Sequence, residues 1–126
     1  MSMDWNQLVL FKGIDLNDSF VLRWAHEADL LRFELEASIW PDSAYYSKPE
    51  DDEYTCYRKA TLMFKGVQSI VGLNPIESVP STTDPDGTVD FGNIETLSQT
   101  ENGFQLTGDF GSVNIIGGEL RFEVHT

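Results

Sequence analysis

Nucleophilic catalysis needs a histidine beside a thiol or hydroxyl, and this chain holds two histidines and one cysteine. His26 follows a strand-like run, and His125 is next to the last residue of the sequence. Cys56 lies between Tyr54 and Tyr57 on the apolar side of an alternating segment. A reactive cysteine has to be exposed and held as the thiolate, so this position reads as a small buried hydrophobe. No Gly-x-Ser-x-Gly elbow, phosphate-binding loop or dinucleotide fingerprint occurs, and the glycines stand at turns. No cofactor is therefore expected, and an enzyme is the less favoured class.

Carboxylates offer a second chemistry. The stretch from Asp84 to Asp90 carries Asp84, Asp86 and Asp90 around Gly87, and hard cations such as calcium take oxygen ligands from loops of this kind. The EF-hand pattern fails at both ends: with Gly87 in sixth place, the first position is Thr82 and the twelfth is Asn93. Pro85-Asp86-Gly87 is also the composition of an ordinary turn. Asp84, Asp86 and Asp90 stand as a candidate metal site, and with them a cation-dependent carbohydrate-binding or hydrolytic domain as an alternative function. General acid–base catalysis by paired carboxylates has little to single it out. Among 21 acids some pair will be close by chance, and only Asp90, beside Phe91, has a distinctly apolar neighbour.

The segment from Trp40 to Tyr54 suggests contact with another protein. It sets Trp40, Tyr45, Tyr46 and Tyr54 around the run Glu50, Asp51, Asp52, Glu53. Aromatic anchors supply binding energy at interfaces, and flanking charges set association rate and partner choice. Tyr45, Tyr46, Glu50, Asp51, Asp52 and Glu53 are the partner-binding candidates. The competing reading is a solvated charge run with its tyrosines folded back onto the body.

The overall charge agrees with a basic partner. There are 21 acids against 8 Lys and Arg, a formal net charge of −13. From Gly66 onward there are nine acids and one base, Arg121. Such a charge weighs against nucleic acid and anionic membranes and favours a cationic partner. The expected function is a non-enzymatic binding module presenting an acidic face to a basic protein. By analogy, an immunity protein or antitoxin-like inhibitor that masks a basic nuclease is a concrete form of it. A structural subunit or homodimer built on an exposed strand edge is a further alternative.

The elements that must position these residues are strands. All five prolines fall at positions 41, 49, 75, 80 and 85, marking loops at Pro41–Glu53 and Leu73–Asp90. Between the loops the apolar period is two. Phe20, Leu22 and Trp24 alternate with Val21, Arg23 and Ala25; Leu31, Phe33, Leu35, Ala37 and Ile39 alternate with Arg32, Glu34, Glu36 and Ser38. A hairpin through Glu27–Leu30 then pairs Trp24 with Phe33, Leu22 with Leu35 and Arg23 with Glu34. Tyr54–Lys65 continues the pattern, interrupted by Arg58, which must reach water or an acid at a sheet margin.

Asn102-Gly103 and Gly117-Gly118 read as two-residue turns, with Gly108-Asp109 a weaker third. The turn at Gly117-Gly118 pairs Ile115 with Leu120 and Val113 with Phe122. The resulting strands are Trp5–Phe11, Phe20–His26, Leu30–Trp40, Tyr54–Lys65, a dispensable Val67–Val71, Ile94–Gln99, Phe104–Thr107, Phe110–Ile116 and Glu119–His125. Half-buried strands need a second layer over their apolar face. The expected fold is all-β: a two-layer antiparallel β-sandwich of about eight strands with a C-terminal meander, and one short helix as an option in Ser43–Tyr54. Length and composition fit one domain over residues 1–126. A single cysteine and the lack of a signal-like or membrane-spanning apolar run point to the cytoplasm.

Overall fold

The computed structural model describes residues 2–49 and 56–125. The alternating segments form β1 (Met3–Asp4), β2 (Ile14–Glu27), β3 (Leu30–Ile39), β4 (Cys56–Leu73), β5 (Thr82–Thr83), β6 (Val89–Asp90), β7 (Ile94–Gln99), β8 (Gly103–Gly108) and β9 (Gly111–Val124). Seven of them make one antiparallel sheet in the order β1-β7-β8-β9-β4-β3-β2, and β5 pairs with β6 as a separate ribbon. The protein is all-β, and among the described residues there is no α-helix. The optional helix in Ser43–Tyr54 is not formed as far as Pro49, and the rest of that stretch lies outside the described residues.

Two layers arise because β4 and β9 bend. The expected hairpin at Gly117-Gly118 does not form; β9 runs straight through these glycines while β4 runs through Gly66 beside them. Gly66, Gly117 and Gly118 have φ of 74°, 73° and 94°, and the register between the two strands slips between Val67 and Ser69. Positive φ is open to glycine without penalty, so the pair of strands turns a corner and passes from one layer into the other. The first layer is β2, β3, the first half of β4 and the last half of β9. The second is the far half of β4, the near half of β9, β8, β7 and β1. Consequently Leu120 pairs with Phe64, and Ile115 with Ile70 and Phe104, in place of the expected Ile115–Leu120 and Val113–Phe122 pairs. The two segments of each long strand are the pairs of short strands expected from sequence, joined end to end.

Aromatic rings join the layers. Phe33 meets Phe110 at 4.9 Å between centroids, and Phe64 meets Phe104 at 5.1 Å. Trp24 packs on Phe91 and Phe110 and donates its indole N–H to Asn74 O at 3.0 Å, which pins the start of the second proline-marked loop. On its outer edge β2 bonds to the chain entering β7: Val21 N–H reaches Gly92 O, Phe91 N–H reaches Val21 O, and the Asn17 side-chain amide donates to Ile94 O and Glu95 O. The sheet thereby curls back on itself and leaves little free edge there.

The β2–β3 hairpin has the expected Trp24–Phe33 and Arg23–Glu34 pairs. Leu35, however, faces Val21 and not Leu22, because Leu22 is the extra residue of a bulge. Val21 and Trp24 are both buried as a result, and Leu22 is half-exposed. The expected strand Trp5–Phe11 is replaced by two 3-10 turns, Trp5–Gln7 and Val9–Phe11. Strand alternation would have put Gln7 and Val9 inside with Trp5 and Phe11. The turns instead bury the two rings, which pack edge to face, and leave Val9 89% exposed.

The loop between β7 and β8 is closed by Thr100 N–H on Gly103 O. Here glycine serves close approach and not positive φ: a Cβ on Gly103 would sit 1.9 Å from Ile115 O.

Candidate functional site

Asp84, Asp86 and Asp90 belong to the β5–β6 ribbon, and each is engaged differently. Asp84 uses its backbone, accepting from Gly87 N–H and donating to Thr88 O. The Asp86 carboxylate accepts from Thr88 N–H at 2.9 Å. That bond and one to the Thr88 side chain hold its pKa below the usual 3.8, with a small further contribution from the charge of Lys59. Asp90 is buried and accepts from Gly92 N–H at 2.9 Å, shaping the bend that delivers Phe91 to β2. The three residues thus close local turns, Asp84 through its backbone and Asp86 and Asp90 through their carboxylates. Among the described residues no three His, Cys, Asp or Glu side chains gather where they could hold a metal ion.

The aromatic loop splits its two tyrosines. Tyr45 and Trp40 are more than two-fifths exposed, whereas Tyr46 packs back against the core. Turns at Ser43 set this arrangement: Ser43 N–H bonds Trp40 O, Tyr46 N–H bonds Ser43 O, and Tyr45 N–H bonds Ser43 Oγ. Glu50, Asp51, Asp52 and Glu53 lie outside the described residues. The chain on either side of them is tied together, since Ser47 N–H lies 3.5 Å from the buried Cys56 Sγ and the Arg58 guanidinium donates to Ser47 Oγ. Arg58 therefore satisfies itself at the sheet margin on a hydroxyl and on Tyr57 O.

Neither histidine meets Cys56. His26 Nε2 lies 3.0 Å from Ala28 O within the β2–β3 turn, at the opposite end of β3 from the Ile39–Cys56 pair. His125 joins a chain that periodicity gave no reason to suspect. Thr61 Oγ1 donates to Glu34 Oε2 at 2.9 Å and lies 2.7 Å from His125 Nε2. With the hydroxyl proton on the Glu34 side, the imidazole N–H donates to Thr61. A histidine activating a nucleophile does the reverse, so this chain links β3, β4 and β9 and does not prepare an attack.

The N-terminal turns create a feature that strand alternation does not predict. Shallow depressions of about 360 Å³ and about 390 Å³ flank them, and both are lined in part by Leu8 and Val9. The available signal was the unbroken apolar run Leu8-Val9-Leu10-Phe11, which no alternating strand can bury whole. Among the described residues no helix is long and apolar enough to cross a membrane. Compared with known protein families, curated proteins and solved structures, the chain matches none.

Proposed function

We propose that this protein is a non-enzymatic binding module that offers an acidic surface to a basic protein, in the manner of an immunity protein or antitoxin-like inhibitor, acting in the cytoplasm. One observation carries the reading. Between Gly66 and Leu120 there are eight acids and no base, and seven of the eight side chains are exposed. Glu119 pairs with Arg121, but the stretch as a whole has a strong acidic excess, which projects a negative potential that draws in cationic partners and accelerates encounter. The single buried cysteine suits a reducing compartment.

The test is capture of basic proteins from the source cell on immobilised protein. Retention at about 0.05 M salt and release at about 0.5 M is the expected behaviour, since the Debye length shrinks severalfold over that range. Charge reversal of Asp84, Glu95 and Asp109, or of Asp51, Asp52 and Glu53, weakens retention. A partner held equally at both salt concentrations sinks the electrostatic reading.

A further inference from the structure

Beyond the glycine corner the outer face of the second layer carries no charge inside its margins. One rung across it runs from Ser98 to Gln105, Asn114 and Val71, and the next from Thr96 to Thr107 and Ser112. The hydroxyls of Thr96 and Thr107 bond each other at 2.6 Å. A third rung sets Ile116 beside Ser69. Within this neutral field Val71 is 63% exposed and Ile116 42%. In a chain where charged residues make up 23% of the sequence, a continuous sheet face without one is a departure that burial does not explain.

The charges reappear at its border. Asp4 pairs with Ser98 and ends the first rung, Glu95 precedes the second, and Asp109 sits in the turn between β8 and β9. All three are exposed. A charge-depleted centre with apolar anchors, ringed by polar and charged groups, is the anatomy of a protein interface.

From this anatomy we infer that the β7–β8–β9 face, with the far half of β4, is the docking surface for a basic protein whose own apolar patch is rimmed by lysine or arginine. The inference rests on the proposed acidic-module function and specifies where it acts. The rim decides the occupant. A second copy would bring Asp4, Glu95 and Asp109 against their own kind in a chain of net charge −13, whereas a basic rim meets them with opposite sign. Val71 and Ile116 then supply the desolvated contact, and the acids orient the approach.

The test uses a short synthetic peptide of alternating lysine and valine, titrated into the isotopically labelled protein at about 0.05 M salt, where charges are weakly screened. Amide shifts are expected at Ser69, Val71, Gln105, Asn114 and Ile116. The double variant Val71→Lys, Ile116→Lys weakens binding roughly tenfold or more. Val89→Lys, which alters an exposed apolar residue on the β5–β6 ribbon, leaves binding unchanged. Thermal melts establish that each variant is folded, and the wild-type shift map stands independently of them. Shifts confined to the Asp84–Asp90 ribbon or the Tyr45 loop overturn this surface while leaving the acidic-module function intact. Absence of shifts anywhere in the protein overturns both.

Discussion

Before the glycine corner β4 carries Arg58, Lys59 and Lys65; beyond it the same strand offers Gln68, Ser69 and Val71. β9 changes at the same place, from Ser112, Asn114 and Ile116 to Glu119, Arg121 and Glu123. On the first layer, charges of opposite sign stand across from each other, as in Glu36–Lys59 and Lys65–Glu119. Arg32 and Glu34 lie 3.4 Å apart, and Arg121 and Glu119 3.0 Å. Opposite charges set side by side, along a strand or across two, offset one another on the spot. The second layer has moved its charge out to turns and margins, as at Asp4, Glu95 and Asp109. The net −13 is therefore not spread evenly: one wall is compensated, and the other is neutral with an acidic border.

If both walls belong to one folding unit, Phe110 is the residue whose loss should be felt in each. Fully buried and in ring contact with Trp24 and Phe33, it ties the layers together. Phe110→Ala is expected to lower stability by about 3–5 kcal/mol, with both layers still lost in one denaturant transition. Two separate transitions would mean that the layers fold independently.

Next in size are the corner glycines. Gly66→Ala meets open space and suffers only its left-handed backbone, about 1–2 kcal/mol. Gly118→Ala carries the same backbone cost and in addition sets its Cβ 2.9 Å from Val67 Cγ1, so it is the more destabilising of the two in urea titration. Equal losses would show that tight packing at the corner does not hold the layers in place.

Thr61→Val tests the charged wall. It deprives Glu34 and His125 of their shared hydroxyl at a nearly buried position, an expected loss of about 1–2 kcal/mol that Thr61→Ser largely restores. An unchanged melting curve for Thr61→Val would reduce that hydrogen-bonded chain to a surface coincidence.

The smallest effect concerns Asp86, which is fully exposed. Its folded pKa is depressed, so its contribution is present above the unfolded value near 3.8 and lost as pH falls through the lower folded value. Asp86→Asn should therefore be slightly less stable than the wild type at neutral pH, with the deficit disappearing as pH falls below 3.8. A deficit that stays the same size in acid would show that the charge of the carboxylate is not what stabilises the turn.

Much of the fold was legible. Alternation identified the inward side of β3 without error from Leu31 to Ile39, and the prolines bracketed both long loops. Composition located the Asp84–Asp90 turn as a turn. The site was less legible. Tyr45 and Tyr46 are adjacent and alike in sequence, and only packing separates the exposed ring from the one turned inward. The neutral face could not be read because its residues come from four segments, and serine, threonine, asparagine and glutamine in a strand signal nothing until they are seen side by side.

Residue pattern by itself determined that this chain forms antiparallel strands, which side of most of them is apolar, and that its second half is acidic. Those properties are local, fixed by period and side-chain chemistry. Tertiary structure alone decided that Gly117-Gly118 is a corner and not a hairpin. In an unbroken strand Ile115 and Leu120 would face opposite sides, so apolar residues at both positions favour a reversal; the positive φ of two glycines shifts the parity and lets both point inward along one continuing strand. Pairing with Phe64 and Ile70, far away in the chain, outweighs the nearby alternative because it unites two layers over one core. The same long-range choice lays out one wall of paired charges and one whose charges stand only at its border.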